Sequence, residues 1–332
     1  MATNFVTTGL ADFIAANPQK ALSLVILEGK GTKDYFDFET GVKYQTKVPY
    51  TSNVAVDIST GAFQGYNTGS GTTTIVDITL EDKQFKIFET YTKEKLTKTI
   101  LGGLERKGTD PNELTVEAQL MALKGKTLAL ANEKMIWQAT TDTSVTRLTT
   151  WGLTLGKAET SFDGIIEQTW DKAGAYGPIV QAFQGVSDTS IVYNVNIMYN
   201  KMIALNEAYA TIETVLCMSP VNFATWARAL YTLNGTVNKD TLGTDGKGIQ
   251  ELYLPGTMCK AVSTIGLSGR NEMFLTRPEN VIVVYDLVSE DEKLEFIYNP
   301  YAHQFELFAG YKLGVKVVDP SSCVITNELA GF

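Results

Sequence analysis

The sequence predicts an α+β fold in which strands dominate both ends of the chain and helices lie between them. The first observation is the alternation of apolar and polar residues in several runs between Gly41 and Tyr91, which is typical of half-buried strands. The second is a long helix signal that opens at Asp110. The third is the short apolar run from Val215 to Met218, which stands between two helical patterns. A strand between helices indicates a mixed sheet with covered faces.

The composition is that of an ordinary globular protein. With 332 residues, 44% hydrophobic, 20% charged and 9 prolines, the chain fits one elaborate domain or two intimate ones. A net charge of -9 argues against binding nucleic acid by phosphate neutralisation. The longest apolar run, Leu24 to Leu27, is far short of the roughly 20 residues that cross a bilayer, and Met1 to Asn17 lacks a signal-peptide pattern. We therefore expect no membrane association.

The front of the chain predicts an arm followed by a long hairpin. Residues 1–40 are interpreted as an arm outside the core, because their helical pieces are short and broken at Asn17-Pro18 and Glu28-Gly29. A hairpin system with a glycine-rich tip follows, and its alternating runs begin at Val42, Val54, Thr74 and Phe85. A two-stranded ribbon alone in water is marginally stable. Either the core of the same chain or a neighbouring copy must cover it, and a surface hairpin of one domain stays open as a third reading.

Three helices are predicted in the middle of the chain. The first has Asp110 as its cap and Pro111 at its first position, and it runs to about Gln138 as a spine of about 40 Å that is apolar on more than one side. The second places five apolar residues on one face: Met198, Met202, Leu205, Tyr209 and Ile212. The third is capped by Ser219-Pro220 and stops before Gly235.

The remainder of the chain predicts a polar loop and then strands. Asn234 to Gly248 is polar and glycine-rich, and it contains Asp240, Asp245 and Lys247. The predicted strands are Val281–Tyr285, Leu294–Asn299, Gln304–Phe308, Leu313–Val318 and Cys323–Ile325. A turn from Pro300 to His303 joins the second strand to the third.

The sequence offers little catalytic or metal chemistry. His303 is the only histidine, which excludes multi-histidine zinc sites. The three cysteines, Cys217, Cys259 and Cys323, have no CxxC spacing and apolar neighbours, so we expect buried, inert thiols. Gly125-Lys126-Thr127 imitates the end of a phosphate loop, but it falls in the middle of the predicted spine helix, where its amides are already used. We therefore assign no catalytic residue, no cofactor and no metal.

The order of these parts resembles the major capsid proteins of tailed bacteriophages with the Hong Kong 97-type fold, which encapsulins share. Two stretches near the end look most like phage capsid sequence: Phe274 to Val281, and Gly310 to Pro320. The resemblance implies an N-terminal arm (1–40), an extended E-loop (41–99), a peripheral domain (100–155 and 287–318) and an axial domain (156–286 and 319–332).

The resemblance also implies a function and a set of contacts. The chain is expected to self-assemble as hexamers and pentamers of an icosahedral head around double-stranded DNA, without sequence-specific binding, in the host bacterial cytoplasm. Portal and scaffolding proteins are the implied partners, and a decoration protein is a further one. Expected intersubunit contacts are Phe63, Gln64 and Tyr66 at the E-loop tip, Tyr298, Tyr301 and His303 at the peripheral hairpin tip, and Asp240, Asp245 and Lys247 in the axial loop.

Three alternatives differ from the phage shell. An encapsulin-like nanocompartment has the same fold but a protein cargo. A hydrolase on an α+β fold is disfavoured by the single histidine. A tail or adhesin binding module would stay small or trimeric, whereas a shell protein forms capsomers or particles.

Overall fold

A computed structural model describes residues 32–40, 45–54, 73–81, 83–92, 116–141, 162–170, 179–182, 187–234, 251–286, 294–299, 301 and 304–327. The described strands are β1 (Asp37–Thr40), β2 (Gln45–Val54), β3 (Thr73–Glu81), β4 (Lys83–Thr92), β5 (Ile179–Ala182), β6 (Thr214–Met218), β7 (Glu251–Tyr253), β8 (Cys259–Ser263), β9 (Phe274–Thr276), β10 (Val281–Asp286), β11 (Leu294–Asn299), β12 (Gln304–Val317) and β13 (Val324–Asn327). The described α-helices are α1 (Val116–Gln138), α2 (Ile165–Trp170), α3 (Asp188–Leu205) and α4 (Pro220–Asn234). The predicted α+β class is confirmed.

The first sheet is built around β12. One edge of β12 pairs with β4 in antiparallel register, from Gln304 opposite Thr92 to Leu313 opposite Lys83. The other edge pairs first with β11 and then with β10, and β1 adds to β10 in parallel. The prediction of two separate strands, Gln304–Phe308 and Leu313–Val318, is wrong, because β12 is one continuous strand of 14 residues that includes Gly310. A glycine weakens a strand, but pairing with β4 on one edge, from Ala309 opposite Ile87 to Tyr311 opposite Phe85, carries the ladder across it.

The second sheet has the order β5-β13-β9-β6-β8-β7. Its centre is the predicted apolar strand β6, which is buried at all five positions and pairs in parallel with β8 and antiparallel with β9. Helices α3 and α4 pack against each other and against this sheet. Ser219 caps α4 as predicted, since its Oγ accepts a hydrogen bond of 3.3 Å from the amide of Asn222.

Two sequence predictions are corrected where the chain turns. Tyr209 and Ile212 do not continue the apolar face of α3, because the helix ends at Leu205. The Asn206 side chain accepts a hydrogen bond from the amide of Ala208 at 3.0 Å and starts a separate 3-10 turn. Such local side-chain bonds compete with helix continuation.

The arm interpretation is also wrong for residues 32–40. Phe36 is 6% exposed and belongs to the main core, and β1 pairs with β10. The burial of Phe36 and the pairing of β1 offset the conformational entropy that this short segment loses on folding. The sequence pattern of residues 1–40 does not indicate this burial.

Both sheets share one core, and α1 lies within it. The main cluster contains Cys217 and Phe274 from the second sheet, Val283 and Leu313 from the first, and Trp137 from α1. Helix α1 ends at Gln138, as predicted, and its start at Asp110 lies outside the described residues. Gly125-Lys126-Thr127 lies within the helix, which confirms that the triplet is not a phosphate loop.

Candidate functional site

The ribbon of β2 and β3 is the most distinctive surface feature of the described chain. The two strands pair antiparallel from Gln45 opposite Glu81 to Val54 opposite Thr73, with an irregularity between Thr51 and Asn53. They form a sheet of their own and pair with no other described strand. At about 3.3 Å per residue, the nine residues of β3 extend about 30 Å. The predicted hairpin is therefore confirmed as a separate ribbon.

The base of the ribbon is covered by its own chain. Ile78 is 8% exposed and Leu80 is 1% exposed, and both pack in a small cluster with Val284 of β10. Strand β4 begins only two residues after β3 ends, so the chain turns from the ribbon directly into the first sheet. The expectation that something must cover the ribbon is met at its base by the same chain, and for the rest it stays a prediction.

A polar groove of about 310 Å³ lies beside this base. It is lined by Thr79, Glu81, Lys83, Thr141, Phe162, Asp163, Gln168, Val315 and Lys316. Its charged groups are already engaged in part: Asp163 Oδ1 accepts from the amide and hydroxyl of Thr141 at 2.6 and 2.8 Å, and Lys83 Nζ lies 3.7 Å from Glu81. Gln168 joins the groove wall to β12, since it donates to Val315 O at 2.7 Å and accepts from the Val317 amide at 3.0 Å.

The peripheral hairpin tip is partly described. Strands β11 and β12 close at Asn299 opposite Gln304, so a four-residue connection joins them as predicted. Tyr298 lies opposite Phe305 in this register, and Tyr301 is 97% exposed in the turn. An aromatic side chain at a tip is well suited to contact another surface. Its intersubunit role stays a prediction.

The other predicted contact residues lie outside the described residues. They are Phe63, Gln64 and Tyr66 of the E-loop tip, Asp240, Asp245 and Lys247 of the axial loop, and His303. Their roles as contact residues stay predictions.

Exposed apolar residues that the sequence patterns do not indicate lie at both ends of the second sheet. Met258, 55% exposed, and Ile212, 40% exposed, come just before the parallel strands β8 and β6 and so lie at the same edge. Val221, 68% exposed, and Ile265, 41% exposed, follow the same strands at the opposite edge. We name these the leading and trailing apolar edges. The turn at Gly256, two residues before Met258, is a sequence signal that Met258 is exposed. The apolar spacing instead predicts a helix face for Ile212, which gives no such signal.

The described residues show no cluster that resembles a catalytic or metal site. All three cysteines are buried and free, and burial raises the pKa of Cys259 to about 11 and that of Cys323 to about 12. Thiols with raised pKa values are poor nucleophiles near neutral pH. No group of three His, Cys, Asp or Glu in the described ranges could hold a metal ion, and no described helix is both long and apolar enough to cross a membrane.

The fold, with its two sheets, long helix and separate ribbon, is similar to that of several solved phage capsid structures. The chain is similar to a chain of the satellite phage P4 procapsid, with a TM-score of 0.54 and 11% identity over 93% of this chain and 90% of that one. It is similar to the capsid of the native GTA particle, with a TM-score of 0.53 and 12% identity over 90% and 91%. It is also similar to the capsid of Myoviridae phage XM1, with a TM-score of 0.53 and 9% identity over 91% and 97%. No protein-family model and no curated protein matches the chain.

Proposed function

We propose that this chain is the major capsid subunit of a tailed bacteriophage, with the Hong Kong 97-type organisation. It assembles as hexamers and pentamers into an icosahedral head that encloses double-stranded DNA. The observation that carries the proposal is the similarity in fold to capsid chains, which covers about nine-tenths of this chain and of each compared chain. Portal and scaffolding proteins, and a decoration protein on the outside, are the partners of such a shell, which forms in the bacterial cytoplasm and becomes part of the virion.

The proposal assigns a role to each part of the fold. The first sheet with α1 is the peripheral domain, the second sheet with α3 and α4 is the axial domain, and the ribbon is the E-loop. Strand β13 supports joining the end of the chain to the axial domain, because it pairs with β5 and β9. Strand β10 pairs with β12, so we place Val281–Asp286 in the peripheral domain rather than in the axial one.

The proposed role is structural and not enzymatic. The fold neighbours are capsid chains, and the described thiols are buried. A shell protein instead needs extended surfaces for self-association. The ribbon, the exposed Tyr301 tip and the two apolar edges supply such surfaces. We propose that the E-loop tip residues, the peripheral tip residues and the axial loop residues named from the sequence contact neighbouring subunits.

The test is the formation of particles by the full chain expressed with its neighbouring genes, followed by negative-stain microscopy. We expect closed shells from the natural sequence and none when Ser59 to Thr73 is excised, because the ribbon then loses its clasp on the next subunit. A matched variant keeps the length of the tip and replaces Phe63, Gln64 and Tyr66 by serine. Intact shells from both variants would refute the clasp, and a purified protein that stays monomeric with its partners present would refute the shell.

The encapsulin-like compartment is separated by the contents of the particle. Nuclease-resistant DNA inside the shells supports a phage head. Shells that contain a co-expressed protein and no DNA would identify a compartment, and the capsid fold would still hold.

A further inference from the structure

Residues 32–40 form a strap that is fastened to α1 at Thr32. The Thr32 amide donates to Glu133 Oε1 at 2.9 Å, and its hydroxyl donates to Glu133 Oε2 at 2.6 Å. The same hydroxyl accepts from Trp137 Nε1 at 2.7 Å. Thr32 is 1% exposed and Trp137 is 0% exposed. The bond between Trp137 and Thr32 is therefore shielded from water, and the two bonds to Glu133 are partly buried. Loss of a partner at a buried polar atom is costly.

The strap contacts both sheets as well as the helix. The Phe36 ring lies 6.3 Å from the Trp137 ring. Lys260 of β8, in the second sheet, lies 5.5 Å from the centroid of the Tyr35 ring. Strand β1, at the end of the strap, pairs with β10 of the first sheet. A segment of nine residues thus touches the three elements that meet at the junction of the two sheets.

The same turn of α1 is held from another side by the loop that follows β8. Gln138 Nε2 donates to the carbonyl oxygen atoms of Gly266 and Ser268, and Gln138 Oε1 accepts from Arg270 Nε at 3.3 Å. Gly266 lies so close that an added Cβ would overlap the indole of Trp137. Trp137 is therefore in contact with the strap and with the loop 264–270 at once.

We propose that the strap is a coupling device: its attachment at Thr32 stabilises the loop 264–270 through Trp137, and its release loosens the junction of the two sheets. The buried indole N–H loses its acceptor when Thr32 leaves, so the ring shifts and the loop that packs on it loses its support. The effect of a partner that binds the chain before Thr32, or of a force that pulls on it, then reaches both sheets. This inference goes beyond the capsid proposal and does not depend on it.

The first experiment is hydrogen exchange of the full-length protein with Thr32→Val, which keeps the side-chain shape and removes the hydroxyl. We expect the opening constants of the amides of Ser268 and Arg270, which bond to Ile265 and Leu267 within the loop, to rise about fivefold or more. Thr211→Val is the matched control, because the Thr211 hydroxyl donates locally to Ala208 at 2.9 Å and is exposed. Faster exchange confined to residues 32–40 would overturn the proposal.

Reciprocity gives the second test, since coupling between two sites acts equally in both directions. Gln138→Leu removes the bonds to the loop, and we expect it to accelerate exchange of the Tyr35 and Phe36 amides, which bond to Thr32. In the double variant, the change in the opening constants should differ by about fivefold from the product of the two single changes. This difference corresponds to a coupling free energy of about 1 kcal/mol. Additive effects would overturn the coupling. If Thr32→Val does not fold, Glu133→Gln replaces it, because it keeps one acceptor for the Thr32 amide and removes the acceptor for the hydroxyl.

Discussion

Gly266, in the turn that follows β8, packs directly against α1. An added Cβ would overlap the Trp137 indole and lie 2.6 Å from the carbonyl oxygen of Glu133. We expect Gly266→Ala to lower the free energy of unfolding by about 1–3 kcal/mol, as overpacking of a core does. Urea denaturation measures the change. Gly256→Ala is the comparison, because Gly256 has a φ of 76° and no atom near its added Cβ, so its cost is backbone strain alone. A Gly266→Ala protein as stable as the natural one would contradict this close packing.

The buried thiols give the protein a defined sensitivity to alkaline pH. Burial is the largest cause of the raised pKa values of Cys217, Cys259 and Cys323, and Cys259 rises from an ordinary value of 9.0 to about 11. Because the folded pKa is the higher one, the unfolded state loses its proton first as the pH rises. We expect the contribution of the thiols to stability to be constant below about pH 8 and to fall between pH 9 and 11, by up to about 1.4 kcal/mol per pH unit for each thiol.

The slope of the free energy of unfolding against pH identifies which groups cause the loss of stability at alkaline pH. Cys259→Ala should lower the steepness between pH 9 and 11 by one titrating group, as measured by urea denaturation at each pH. The buried phenols of Tyr285 and Tyr311, whose pKa values are also raised by desolvation, add to the slope only above about pH 10. An unchanged slope in Cys259→Ala would show that this thiol does not ionise on unfolding.

For single residues, the sequence predicts burial better than it predicts contact partners. The apolar neighbours of the cysteines predict their burial correctly, and all three are buried. The bonds of Thr32 are not predictable, because its partners Glu133 and Trp137 are 101 and 105 residues away in the chain. Local patterns hold no information on contacts of such sequence separation.

The ribbon of β2 and β3 is attached to the rest of the protein by a small apolar cluster at its base. Leu80 is 1% exposed and packs with Val284, while β2 and β3 pair with no other described strand. We expect Leu80→Ala to cost about 2–5 kcal/mol of local stability, because a buried leucine is replaced without a partner to fill the space. Hydrogen exchange should accelerate throughout residues 45–54 and 73–81.

The rest of the protein provides the control for this apolar cluster. Exchange in β6, which is buried in the second sheet, should not change in Leu80→Ala. Thr79→Ala changes the adjacent residue, which is only partly buried, and should leave the ribbon protected. A ribbon that stays protected in Leu80→Ala would show that other contacts hold it.

Element boundaries are predictable where local chemistry decides them. The alternation from Thr74 predicts β3, and Ser219-Pro220 predicts the start of α4. The end of α3 is missed because Asn206 closes it by a side-chain bond to the Ala208 amide, against an apolar pattern that continues to Ile212. The predicted break between Phe308 and Leu313 is wrong because β4 pairs across it, which is a tertiary effect.

For the whole molecule, the shared core predicts a single unfolding unit. The main cluster joins residues of both sheets, such as Phe274 and Val283, around Trp137. We expect one calorimetric transition for the two sheets, with equal calorimetric and van't Hoff enthalpies in the dissociated subunit. Two separated transitions would show that the sheets are independent domains.

The sequence predicts the class of the molecule and the order of its parts, but not its topology. The spine helix and the ribbon contribute to the capsid resemblance, and the fold is similar to that of phage capsid chains. The sheet order is not predictable, because β1 pairs with β10 and β5 pairs with β13, and the partners are far apart in the sequence. Most of the predicted contact residues lie outside the described residues, and their contacts stay predictions.

The position of β13 determines when the second sheet can be completed. This strand comes from the last residues of the described chain, yet it lies between β5 and β9 in the interior of the second sheet. A nascent chain on the ribosome therefore carries a gap beside β5 until β13 has been synthesised. Truncation at the carboxyl end leaves that gap permanently open, with unpaired strand edges that favour aggregation.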